Sequence, residues 1–193
     1  MAPSAIRITV ALAAIALAGC SSQAETGQTE HTGSASTTTR VPRHIDNSDR
    51  PQVSFDPCLD VPDAALIEAG YDPKSEQNAD FTPDSYTFLG CSYDTPQRRY
   101  GLNVLSGNIT FDEEREKTKS YATTTEINGR RALLEWEPQK SDECAVSVET
   151  PDGVLIVSRL ILKDTPGPSP QTEWCAGLED TARIIEPFIP KGD

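Results

Sequence analysis

Three regimes of hydrophobic and polar patterning follow one another along the chain. Ile8 to Ala18 is an apolar run broken only by Thr9. From Ser21 to Gln52 there is no periodicity: Ser, Thr, Gly, Gln and charge dominate, Phe, Trp and Tyr are absent, and only Val41 and Ile45 are larger aliphatics. Such a stretch buries too little apolar surface to offset the entropy of ordering it, which predicts a disordered tether over 20–52. Beyond Val53, short apolar runs recur between turn residues, and these predict a folded domain over 53–190 with a tail at 191–193.

Within the domain, Asp60 is placed to cap a short helix with Pro62 in its first turn and Gly70 as its left-handed stop. The runs 85–93 and 100–107, β-rich around "DTPQRR", predict a hairpin. Thr110 followed by Glu113 is a capping box, opening a helix with Phe111 and Tyr121 as its sparse apolar face. Asn128-Gly129 predicts a second hairpin through a type I′ turn, where both central residues need positive φ. Pro151-Asp152-Gly153 predicts a third, whose last strand is apolar at both odd and even positions from Val154 to Leu162 and so belongs in the middle of a sheet. After a proline-rich break, Thr172 is placed to cap a final helix with Trp174, Leu178, Ala182 and Ile185 at helical spacing. The resulting fold class is α+β: one antiparallel sheet of about six strands, helices packed on it, and two disulfides.

The apolar run near the start is little more than half of the roughly 20 residues a membrane-spanning helix needs, and Arg7 precedes it, as in a signal peptide over 1–19. Removing that segment takes away one basic and no acidic residue, so the formal charge moves from −13 to −14. A field of that sign disfavours nucleic acid as a partner, whose binding needs clustered Lys and Arg. The basic pairs Arg98-Arg99 and Arg130-Arg131 read as solvated surface.

Four cysteines lie in the predicted domain: Cys58, Cys91, Cys144 and Cys175. In an exported chain they predict a disulfide framework. Of the three connectivities, Cys58–Cys91 with Cys144–Cys175 is favoured, since each bond then joins a predicted helix to a predicted strand, although sequence alone does not choose. A metal site is not expected: there is no C-x-x-C pair, and His31 and His44 both fall in the tether. No cofactor motif is present either.

"Leu17-Ala18-Gly19-Cys20" resembles the lipobox of bacterial lipoproteins, which implies that Cys20 becomes the acylated first residue of a mature chain held on the membrane without spanning it. The lipobox, the tether, "Phe55-Asp56-Pro57-Cys58" leading to "Ala69-Gly70", the "Cys91-Ser92-Tyr93" strand and two later cysteines together resemble an actinobacterial family of envelope lipoproteins classed as domain-of-unknown-function family 3558. That resemblance implies an exported, lipid-anchored α+β domain with two disulfides and no assigned reaction.

Catalytic signals are sparse. No histidine lies in the domain, which removes Ser-His-Asp and Cys-His arrangements, and only a pair of carboxylates acting as acid and base is left open. Glu113-Glu114 and Asp142-Glu143 read as solvated charges, and Asp56 as a cap for the N–H groups around Cys58. Trp136 and Trp174 are expected in the core. Facing a cleft beside Tyr86 or Phe88, they would instead suit an apolar or sugar-like ligand. The expected function is a non-enzymatic binding or accessory module on the extracytoplasmic face of the cell membrane, its partner an envelope protein or small molecule. The alternatives are a carboxylate-dependent wall or polysaccharide hydrolase and a structural subunit of an envelope complex.

Overall fold

The computed structural model describes residues 48–83, 85–137, 142–162, 173 and 175–192. The chain divides into two units, 1–39 and 40–193, and every described residue lies in the second. Cys20 and the predicted signal peptide fall outside the described residues, as does the tether up to residue 47.

The first helical stretch comes as two pieces, α1 (Pro57–Asp60) and α2 (Asp63–Glu68). Asp56, not Asp60, is the cap: its carboxylate accepts from the Cys58 N–H at 3.1 Å, with Pro57 at the first helical position. Asp60 instead accepts from the Asp56 N–H at 2.7 Å, which completes the cap at that same end. The helix breaks at Val61, extended ahead of Pro62, so that a second helix starts after Pro62. Gly70 supplies the expected left-handed exit at φ 89°.

The sheet has seven strands instead of about six. They are β1 (Asp72–Asn78), β2 (Phe88–Asp94), β3 (Tyr100–Gly107), β4 (Ala122–Ile127), β5 (Arg130–Glu135), β6 (Glu143–Glu149) and β7 (Val154–Ile161). All neighbours run antiparallel, in the order β1-β2-β3-β7-β6-β5-β4. The strand not foreseen is β1, "DPKSEQN", which lacks apolar alternation and is a strand because β2 offers it an edge to pair with. The doubly apolar β7 stands at the centre, as expected.

Strand alternation divides the buried side chains between two faces. On one face Tyr93, Leu102, Val104, Val146, Val148, Leu155 and Val157 pack against Ala65 and Leu66 of α2 and against Leu178, Ala182 and Ile185 of α4 (Leu178–Ile185). The described part of this last helix starts at Leu178 behind Gly177 in a left-handed conformation; Thr172 and Trp174 lie outside the described residues. Both cysteine pairs lie on this side, Cys58 of α1 with Cys91 of β2, and Cys144 of β6 with Cys175 in the bend ahead of α4 rather than in the expected helix, at Cα–Cα distances of 5.3 and 6.0 Å. Each bond closes a loop of just over 30 residues, contributing about 3–4 kcal/mol in the chain-entropy model.

On the opposite face Phe88, Ile109, Leu133 and Val154 pack against Phe111 of α3 (Phe111–Thr118). The capping box at Thr110 and Glu113 is fully formed. Arg50 secures it further, its two terminal nitrogens each 2.7 Å from a Glu113 oxygen while its Nε donates to the Ser85 carbonyl at 2.9 Å. That grip, led by the Arg50 hydrogen bonds and followed by those from Thr110, holds the Glu113 carboxyl at a pKa of about 2. Arg50 is thereby tied to the domain.

Candidate functional site

Register determines what α3 leaves uncovered. On its face of the sheet, one row crosses Leu133, Ser147, Ile156, Leu105 and Gly90, and the next crosses Glu135, Ala145, Ser158, Asn103 and Ser92. The helix is only eight residues long and ends at Thr118, and a turn over Lys119 to Tyr121 leads into β4, whose Ala122 joins the second row beside Glu135. A cleft of about 190 Å³ opens there, with Leu105, Ile156, Ala145 and Ser158 in its floor.

Its walls carry charge. Glu114, Lys117 and Tyr121 come from the α3 side, and Glu135, Glu137 and Glu143 from β5, the segment after it and β6. Glu114 lies on the buried stripe of α3 between Phe111 and Thr118, its side chain only 3% exposed, and the Lys117 ammonium stands 3.2 Å from Oε2. Ser147, buried on the neighbouring row of the sheet, donates to Glu135 Oε1 at 2.5 Å. Burial pushes the Lys117 pKa down, but the facing Glu114 carboxylate, with Tyr86 and Glu135, outweighs it and the net shift is upward. Burial likewise raises the Tyr121 phenol, reinforced by Glu135 and Glu137. Tyr121 thus stays a neutral donor beside a cationic lysine in an acceptor-rich recess.

Among the described residues the lining sets four carboxylates and one ammonium around the recess, an acceptor-rich surface suited to a cation or to a ligand rich in N–H donors. Drug-sized ligands occupy roughly 300–1,000 Å³, so this space suits an ammonium or guanidinium head rather than a ring system. Among the described residues, no group of three or more His, Cys, Asp or Glu is arranged to hold a metal ion. A second concavity, about 320 Å³, lies at the α2–β1 junction against Ile67, Tyr71, Pro73 and Pro96, and offers mainly apolar contact.

The residues singled out in the sequence are distributed differently from expectation. Trp136 is 37% exposed, just past the end of β5, and is not a core residue: the pleat that buries Leu133 ends at Glu135, and the Trp136 N–H reaches the Tyr121 carbonyl at 3.5 Å. It does not line the cleft. Trp174 lies outside the described residues. Phe88 is buried with Tyr86 edge-on to it at 5.7 Å, so this pair fills the second core rather than an open cleft. Glu114, read as solvated, is buried, and Glu143 and Glu114 meet across one recess. The only local signal was the i,i+3 partner Lys117. Arg130 also differs from its solvated reading, because the C-terminal segment folds over it and takes up its donors.

A family model described as "Protein of unknown function (DUF3558)" matches residues 15–187, nearly the whole chain. The chain belongs to this family. No curated protein and no solved structure matches it. The family carries no assigned reaction in its description, so chemistry has to be argued from the cleft itself. No described helix is long and apolar enough to cross a membrane.

Proposed function

We propose that the chain is a lipid-anchored protein on the extracytoplasmic face of the cell membrane, acting as a non-enzymatic binding module that receives a cationic, ammonium- or guanidinium-bearing group in the cleft beside α3. Cys20 supports the anchor through the lipobox it completes. The observation that carries the binding role is the convergence of Glu114, Glu135, Glu137 and Glu143 on one recess. The half-uncovered sheet gives access, and the tether leaves the domain clear of the bilayer.

The anchor is tested by Cys20→Ala, which should move the chain from the membrane to the soluble fraction. Binding is tested calorimetrically with 1,4-diaminobutane and a lysine-containing tripeptide as probes. Saturable binding should weaken roughly tenfold or more in Glu137→Gln/Glu143→Gln, since each lost charge-assisted hydrogen bond is worth about 1.5–3 kcal/mol. No saturable heat, or heat indifferent to both substitutions, refutes the binding role.

Glu114 favours one second reading, a carboxylate-dependent hydrolase, because it is a carboxylate shielded from water among other carboxylates. Release of soluble sugar from peptidoglycan by the purified chain, lost in Glu114→Gln while the fold persists, would establish that reading over the first.

A further inference from the structure

The two edges of the sheet are built differently. At β1 the register shifts between Asp72 and Gln77, and Pro73 and Lys74 sit on the strand, so this edge carries the bulge, proline and lysine that discourage pairing. At the other edge, β4 pairs with β5 in unbroken register from Ala122 to Ile127 and reads "ATTTEI", with no proline, no lysine and one charge. Thr123, Thr124 and Glu126 are exposed.

Which backbone groups β4 presents outward follows from its turn. Asn128 at φ 49° and Gly129 at φ 87° make a two-residue hairpin loop, which fixes Ile127 and Arg130 as a hydrogen-bonded pair. Odd-numbered residues of β4 therefore bond to β5, and Ala122, Thr124 and Glu126 direct their N–H and C=O groups away from the sheet. Among the described residues, nothing donates to or accepts from those outward groups.

We propose that β4 is a dimerisation edge, pairing antiparallel with β4 of a second copy about a two-fold axis through Thr124 and joining the two sheets into one. The sequence is self-complementary in that register. Thr124 faces its own copy, Ala122 faces Glu126, and Thr123 faces Thr125, so the one carboxylate never meets itself and the axis is lined by cross-strand threonine pairs. All outward groups of the strand find partners, giving about six backbone hydrogen bonds. Charge permits the pairing, because five of the six β4 residues are neutral.

The symmetry also suits a chain held at a membrane. A two-fold axis relating antiparallel strands of one sheet is perpendicular to that sheet, so both copies present the α3 face on the same side. Arg50, near the N-terminal end of the described residues, binds Glu113 on α3. Both copies of Arg50 thus lie on one side of the dimer, as two tethers from one bilayer require. The pairing itself does not depend on the anchor.

The test is register-specific disulfide trapping in the full chain purified in detergent, with sedimentation velocity as the independent readout. Hydrogen-bonded antiparallel partners have Cα atoms about 5.5 Å apart, within disulfide reach. Thr124→Cys should therefore form a reducible dimer in air, whereas the parent chain and Gln77→Cys on the β1 edge should not. Thr123→Cys and Thr125→Cys should each stay uncrosslinked alone and join when mixed. Thr124→Pro, which removes an outward N–H that β5 does not use, should weaken self-association at least roughly tenfold; Thr124→Lys, which places two cations on the axis, should do the same if the proline variant fails to fold. A sedimenting monomer at every concentration, or trapping by Gln77→Cys equal to that by Thr124→Cys, overturns the proposal. A monomer whose β4 edge instead captures an extended basic peptide overturns it as well.

Discussion

Replacing Arg130 by methionine should destabilise the domain by about 2–4 kcal/mol. The side chain is 19% exposed and its partner Glu186 13%. Nε donates to Glu186 Oε1 at 2.6 Å, Nη2 to the Pro190 carbonyl at 2.9 Å and Nη1 to the Glu149 carbonyl at 3.4 Å. One guanidinium thus ties the β4–β5 hairpin, the end of β6 and the turn after α4 together. Methionine keeps the aliphatic stem but leaves the Glu186 carboxylate in a nearly closed site with the Asn128 amide, at 3.0 Å, as its remaining donor. Partial exposure and that donor keep the cost below that of a fully buried broken pair, roughly 3–5 kcal/mol. With a urea m-value of about 2 kcal/mol/M, the midpoint should fall by about 1–2 M. Adding Glu186→Gln should recover part of the loss, with a coupling energy of about 1 kcal/mol or more across the double-mutant cycle. A midpoint change under about 0.3 M, or strict additivity of the two substitutions, would refute this account of how the C-terminal segment is held.

Two further outcomes follow from the same physics. Glu113 has its folded-state pKa lowered to about 2 from an ordinary 4.5, so its stabilising contribution is complete above about pH 4.5 and is lost as pH falls toward 2; urea midpoints for the parent and Arg50→Gln should be furthest apart at neutral pH and converge in acid, and a constant separation counts against the grip. Gly153 has φ 156°, and a Cβ there would lie inside contact distance of the Gly107 and Ile109 carbonyl oxygens, whereas one at Gly70, φ 89°, would meet nothing within 4 Å; Gly153→Ala should lower Tm by roughly 10 °C and Gly70→Ala by a few degrees, and equal losses by thermal melting would show that the close approach does not matter.

Features that residues impose on their near neighbours were legible in the chain itself. Thr110 and Glu113 announce their capping box, Asn128-Gly129 its turn, and the doubly apolar run after Gly153 its central place, because each follows from backbone geometry or burial requirements within a few residues. The favoured cysteine pairing is also the one the fold holds. What tertiary structure decided was everything that depends on a partner distant in the chain. β1 is a strand because β2 stands beside it, Arg130 is enclosed because Glu186 and Pro190 arrive 56 and 60 residues later, and Trp136 is outside the core because the pleat runs out one residue before it. Glu114 shows the limit most clearly: as one of several glutamates on a polar helix it has only Lys117 at i,i+3 as a local signal, and it is the packing of the Phe111–Glu114–Thr118 stripe on the sheet that brings it to one recess with Glu135 and Glu143. Local patterns encode conformational preference, whereas the cleft is a product of where two elements end relative to each other.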